Sequence, residues 1–249
     1  MLDHAKTEVV NLTGIGLDRE TTRSVAAWMA KAFEDAPATP ALTIFFGAAP
    51  YHGNEEMHES FWSSHLNRVA FSGILLGAKS DGQWRGFRCF FEPGQGRSPY
   101  SPAFRLNDEQ HGNEDWDRFL ALAGEDAYAT RVKQWAEVTS ATNEELALHV
   151  GECFTTSIIV TDPAFQRRGI GHALDRATQE VAKEAGRPLH VRIHEHVLPF
   201  YLAQEYHVLA SPTYILGRSD PFKVHFLMSS LYGNTGDEKH PIHAIHEVQ

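Results

Sequence analysis

The sequence has little that would tie it to an oxidising compartment, a membrane or a nucleic acid. It holds two cysteines, Cys89 and Cys153, in 249 residues. Two thiols cannot make a disulfide framework, and both sit in apolar, strand-like runs that read as buried free thiols. The longest apolar stretch, ALTIFFGAAP at 41–50, is far too short to cross a bilayer. The first residues, MLDHAKTEVV, lack a basic flank followed by an apolar run, so no signal peptide is expected and the chain reads as cytoplasmic. Lys+Arg number 22 against 32 Asp+Glu, a formal charge of −10. That balance argues against nucleic acid and anionic membranes as partners and leaves room for an amine or neutral substrate. The chain has no GxxxxGK[ST] phosphate loop, no GxGxxG fingerprint, no HExxH and no cysteine cluster, and no internal repeat. The histidines at 194 and 196, and those at 240, 243 and 246, therefore read as polar surface rather than as a metal site.

The chain does have a clear alternation of strand and helix patterns. EVVNL at 8–12 is a first strand. Asp18 is placed to cap a helix whose Val25, Trp28, Met29, Ala32 and Phe33 share one face, ended by Pro37 and Pro40. A second helix is expected over 57–71. ILLGAK at 74–79 and QWRGFRCFF at 83–91 flank Asp81-Gly82, a strong hairpin signal. The segment 95–150 carries Trp116, Phe119, Tyr128 and Trp135 at helical spacings and reads as a helical insertion. Strands follow at 153–160, 189–193, 206–210 and 222–228, with helices at 170–185 and 197–204 between them, and a polar tail from 233. The spacing predicts one domain over 1–249 of the α/β (α+β) class: a mixed sheet with helices on both faces and one right-handed βαβ crossover.

The junction TDPAFQRRGIGHAL at 161–174 carries the most chemistry. A strand that turns through glycines into a helix gathers backbone N–H groups in one concavity, and the helix dipole adds partial positive charge. Gly169 and Gly171 leave the backbone open, and Arg167 and Arg168 add full charges suited to phosphate. Taken alone, two glycines and two arginines read as a solvated turn, since lone glycine pairs are common.

In context, Q-R-R-G-I-G after a strand ending TDP resembles the pyrophosphate-binding turn of the GNAT-type N-acetyltransferases, pattern [Q/R]-x-x-G-x-[G/A], at Gln166, Gly169 and Gly171. HEHVLPFYLAQEY at 194–206 is similar to a second motif of that family, with Phe200, Tyr201 and Tyr206 at the matching positions. FFEPGQG at 90–96 resembles the strand followed by Pro-Gly seen in many fungal and bacterial members. The resemblance covers roughly 152–210 closely and the first 95 residues only in element order. His194 stands where the family has Asn, and Glu205 where it has the glycine that ends the helix. A non-glycine residue there is strained by roughly 1 kcal/mol or more, so that helix is expected to end differently.

The resemblance implies a GNAT fold: a mostly antiparallel sheet with one splayed parallel pair. It also implies acetyl-CoA as cosubstrate with no metal, and a small-molecule amine as acceptor by direct attack on the thioester. It assigns cofactor contacts to Ile159, Val160, Thr161, Gln166, Arg167, Arg168, Gly169, Ile170, Gly171, His172, His194 and Tyr201. Tyr201 is the proton donor to the departing thiolate, since a phenol of pKa near ~10 matches a thiolate in basicity. Glu152 is the first candidate base. His149, His190, His194, His196 or a water chain are the others. The 37–56 loop, with Phe45, Phe46, Tyr51 and His52, and the insertion, with Tyr128 and Trp135, are expected to line the acceptor pocket. The competing readings are a GNAT-fold protein that binds acyl-CoA or a ligand without transfer, and a protein N-acetyltransferase.

Overall fold

The computed structural model describes residues 7–34, 44–47, 49, 51–93, 100–107, 110–150, 152–214 and 222–229. The expectations for Pro37 and Pro40, for Gln95 and Gly96, and for the tail with His240, His243 and His246 lie outside them. Among the described residues, one sheet has the strand order β1-β2-β3-β4-β5-β9-β6. Its members are β1 (Glu8–Asn11), β2 (Ile74–Ser80), β3 (Gln83–Phe91), β4 (Phe154–Thr161), β5 (Leu189–Ile193), β9 (His225–Ser229) and β6 (Tyr206–Ala210). Every neighbouring pair is antiparallel except β4 and β5. The helices are α1 (Arg19–Ala32), α2 (Glu55–Ala70), α3 (Asn113–Ala123), α4 (Glu125–Val150), α5 (Ile170–Glu184) and α6 (Leu198–Leu202).

Local chemistry sets several boundaries where the sequence places them. The Asp18 carboxylate accepts from the Thr21 N–H at 2.8 Å and starts α1. Asp81 and Gly82 both take positive φ, 53° and 74°, which closes β2 onto β3 in the hairpin geometry that follows the strand twist. Gly186, at φ 65°, ends α5. Glu205 corrects one expectation: it adopts φ 62°, so α6 is followed by the left-handed residue the glycine would supply, and the strain is accepted. The run 222–228 is also not one strand. Val224 interrupts it, β8 (Phe222–Lys223) pairs with β7 (Thr213–Tyr214) in a separate ribbon, and only β9 joins the main sheet.

The sheet divides two cores. From Phe87 on, β3 alternates, with Phe87, Cys89 and Phe91 toward α1 and α2, and Phe90 toward α5. The α1/α2 core takes in Phe61, Trp62, Trp116, Phe119 and Tyr128, each at most 1% exposed, so each ring contributes roughly 2–3 kcal/mol of burial. The insertion is thus part of this core. On the opposite side α5 lies close on the sheet because Gly86 has no side chain. A Cβ there would fall 2.8 Å from Ile170 Cγ2 and 3.0 Å from Leu174 Cδ1. That packing fixes where α5 begins.

Candidate active site

β4 and β5 pair only at Phe154–Leu189 and Thr155–His190. β4 then stays with β3 as far as Thr161, opposite Gly86, while β5 turns to β9 over His190–Ile193. The two parallel strands therefore part into a wedge, open toward their C-terminal ends, with the backbone of Ile159, Val160 and Thr161 along its β4 edge. Backbone groups on such an edge need a partner, and an extended ligand can supply one in the manner of an added strand.

β4 also carries a bulge. Its register with β3 passes from Cys89–Ile158 to Phe90–Thr156, leaving Ser157 as the extra residue. The bulge exchanges the faces of the strand. Phe154 and Thr156 lie on the α5 side, where Thr156 Oγ1 accepts from Arg88, whereas Ile158 and Val160 belong to the α1/α2 core. Ile159 and Thr161 then face α5 again.

At the wide end of the wedge, the chain passes from β4 through a short turn, Pro163–Phe165, into α5. Asp162 holds this turn: it accepts from Ala164 N–H at 3.0 Å and from Arg85 Nη1 at 2.8 Å. The Phe165 ring lies between the guanidinium groups of Arg85 (3.8 Å) and Arg168 (4.7 Å). Arg167 takes φ 60° and Gly169 φ 86° at the N-cap. The first turn of α5 has neither a side-chain cap nor an acidic residue. Gln166, Arg167, Arg168, Gly169 and His172 are exposed, and neither Arg167 nor Arg168 has an ion pair among the described residues. A Cβ on Gly169 would meet nothing within 4 Å, and one on Gly171 would sit 3.6 Å from Phe200 and 3.7 Å from Thr161 Oγ1. Open space, uncapped N–H groups and two exposed cations without an ion pair among the described residues fit a pyrophosphate.

Tyr201 is buried beneath this turn, and its hydroxyl accepts a hydrogen bond from Arg88 Nη1 at 2.7 Å. Burial pushes the phenol above its ordinary value, and the Arg88 charge pulls it back. Arg88 also donates to Asp175 of α5 at 3.2 Å, and Tyr206 donates to the same carboxylate oxygen at 3.0 Å. Arg88 and Asp175 were not among the residues the sequence singled out. Their signal is present in hindsight: an arginine amid the rings of GFRCFF, and an aspartate inside the apolar stripe of α5.

His194 follows β5 and stacks on His196 at 6.0 Å. Burial, then the nearby His196 and His225, push it down to about 4, so it is neutral at pH 7. His190 is buried against Phe226 and pushed down to about 3 by burial, then by Arg192. The His149 side chain lies outside the described residues. Glu152 sits where β4 and β5 are still joined, at the closed end of the wedge. Its carboxylate is 75% exposed and paired with Arg187. Glu152 precedes β4, and the strand's length, at about 3.3 Å per residue, separates it from the open end. The structure does not bring it to the other site residues.

On the α1/α2 face of the bulge, the Tyr100 hydroxyl meets Ser157 Oγ. Tyr100 stacks on Phe45 (5.2 Å) and His65 (5.4 Å), and its carbonyl accepts from Tyr128 Oη at 2.9 Å. Phe46 and Tyr128 are packed inside the core. Tyr51 is half-buried and donates to Glu59 at 3.1 Å, apart from this group. Trp135 is half-buried, packs against the α1/α2 core and lies 5.8 Å from Tyr214. It thereby links the β4 side of the wedge to the β6–β9 side. Tyr100 and Ser157 had no sequence signal, since nothing in a serine within TTSIIV announces a bulge.

No family model matches this sequence, and no curated protein matches it. Among solved structures, the chain resembles a polyamine N-acetyltransferase of Drosophila melanogaster described as forming N-acetylagmatine, at 11% identity and TM-score 0.52, over 89% of this chain and 99% of that one. It also resembles an agmatine N-acetyltransferase mutant, at 11% identity and TM-score 0.50, over 89% of this chain and 98% of that one. At this identity the likeness establishes architecture: the chain has the fold of the GNAT-type N-acetyltransferases. The mostly antiparallel sheet with one splayed parallel pair, implied by the resemblance, is the observed one.

Proposed function

We propose that the protein is an acetyl-CoA-dependent N-acetyltransferase acting on a small amine. The observation that carries this reading is the conjunction of three features: β4 freed from β5, the uncapped α5 turn with Arg167 and Arg168, and the Tyr201 hydroxyl joined through Arg88 to Thr156 at the bulge. The turn receives the pyrophosphate through Gln166 to Gly171, with His172 at its rim. The pantetheine arm lies along Ile159, Val160 and Thr161, with His194 across the wedge on the β5 side. The amine nitrogen attacks the thioester carbonyl and the C–S bond breaks. The thiolate takes the Tyr201 proton, which solvent restores, and the amine proton is lost to water.

The acceptor enters from the α1/α2 face. Trp135 and Tyr214, spanning the wedge, and the ring group of Tyr100 and Phe45 support an enclosed acceptor over an extended protein tail. The test is mass spectrometry of an amine and metabolite panel incubated with protein and acetyl-CoA, beside calorimetry of acetyl-CoA binding. Acetylation of a small amine is the expected result. Tight acetyl-CoA binding with no product from any amine would favour the ligand-binding reading, and acetylated peptides with no acetylated small amine would favour a protein substrate.

A further inference from the structure

The buried charge pair beneath Tyr201 calls for an explanation. Arg88 and Asp175 are both 0% exposed. A buried ion pair is seldom a net stabiliser, because desolvation of both charges offsets their attraction. β3 would sit under α5 equally well with an apolar residue at each position. The pair is instead arranged around a hydroxyl. Asp175 receives Arg88, Tyr206 and, at 2.7 Å, Gln179, so three donors, from β3, β6 and the next turn of α5, hold the carboxylate against the guanidinium. Arg88 then directs one nitrogen to Thr156 at 3.1 Å and the other to Tyr201 Oη at 2.7 Å. Thr156 is the residue immediately before the bulge at Ser157.

We infer that Arg88, oriented by Asp175, is a positioning residue for Tyr201: it occupies the phenol oxygen as a donor, so the hydroxyl proton is aimed away from the core toward the wedge. Among the described residues, the Tyr201 hydroxyl proton has no acceptor. The inference rests on the acetyl-transfer reading above. In the transfer, the thiolate sulfur takes the Tyr201 proton as the C–S bond breaks, and the phenolate left behind faces the Arg88 charge until solvent restores its proton. Arg88 stabilises that phenolate without touching either substrate.

The test is a double-mutant cycle on turnover with an accepted amine: wild type, Arg88→Met, Tyr201→Phe and the double variant, each checked by thermal unfolding. If Arg88 acts through Tyr201, Arg88→Met lowers kcat about 10-fold or more while KM for acetyl-CoA moves little, and it adds no further loss in the Tyr201→Phe background. Should Arg88→Met fail to fold, Arg88→Met with Asp175→Asn, which leaves no lone buried charge, takes its place in the cycle. Losses that multiply, a change confined to KM, or a fall in melting temperature with kcat intact would each overturn the inference. Wild-type protein that acetylates no amine defeats the acetyl-transfer reading and this inference with it. Turnover by the wild type with multiplying losses defeats this inference alone.

Discussion

The two faces of β4 carry opposite kinds of chemistry. Toward α5 the strand meets charge and hydroxyls: Arg88, Asp175, Tyr201, Tyr206 and Thr156 form one hydrogen-bonded polar group. Toward α1 and α2 it meets rings: Tyr100, Phe45, His65 and Phe61 stack in a chain, Ile158 and Val160 pack in the same core, and the Tyr100 hydroxyl reaches Ser157 of the strand. A single extra residue makes both possible. Without the bulge at Ser157, period-two alternation would put Thr156 and Ile158 on the same face. With it, the polar and aromatic halves meet at one point of the strand, which is what a transfer between two substrates requires.

Four outcomes would break or sharpen this comparison. The largest belongs to the polar half. Gly169→Val puts a β-branched residue at φ 86° and into space that is now open, and acetyl-CoA binding measured by calorimetry should weaken about 100-fold or more, near 2.7 kcal/mol. Unchanged affinity would remove the turn from the cofactor site and the acetyl-transfer reading with it.

Next comes the aromatic half. Trp135→Ala should raise the amine KM on the order of 10-fold through lost apolar contact, with acetyl-CoA affinity intact. Equal effects on both substrates would make Trp135 a scaffold residue shared by the two halves.

Part of the acid sensitivity should belong to the aromatic half. His65 is buried with both ring nitrogens unpartnered and pushed down to about 3 by burial, then by Arg68. Between its unfolded value of about 6.5 and its folded value, the unfolded chain binds the extra proton, so stability is full at neutral pH and is lost as pH falls through that window. His190 adds to the same window. His65→Phe, which keeps a ring against Phe61, should flatten the decline of melting temperature from pH 7 to pH 4. A slope identical to that of the wild type would assign the acid lability elsewhere.

The smallest effect expected is none. Glu152→Gln should leave kcat within about twofold, since an exposed pair with Arg187 is worth about 0–1 kcal/mol and lies at the closed end of the wedge. A loss near 100-fold would return Glu152 to the role of base.

The polar half was far more legible in the sequence than the aromatic one. Q-R-R-G-I-G works through backbone conformation and local charge, so its spacing alone suggests the chemistry, and the turn is found open at Gly169 with Arg167 exposed. The aromatic side depends on contacts between segments distant in the chain. Tyr128 reads like a pocket residue by spacing, yet its hydroxyl is used up on the Tyr100 carbonyl and its ring on Trp116 and Phe119. Tyr51 reads the same way and sits with Glu59. Helical periodicity reports that a face is buried, not whether core or ligand buries it.

By itself, the sequence determined the order of elements, the Asp81-Gly82 hairpin, the capped start of α1 and the turn into α5, because each follows from conformational preferences within a few residues. Only the tertiary structure decided that β4 leaves β5 after two pairs, that Ser157 bulges, and that Arg88 meets Asp175 and Tyr201 from three separate elements. Strand pairing and buried charge are settled by what the rest of the chain brings opposite, at sequence separations of 68 to 113 residues for the Arg88 contacts, and no local pattern encodes a partner that far away.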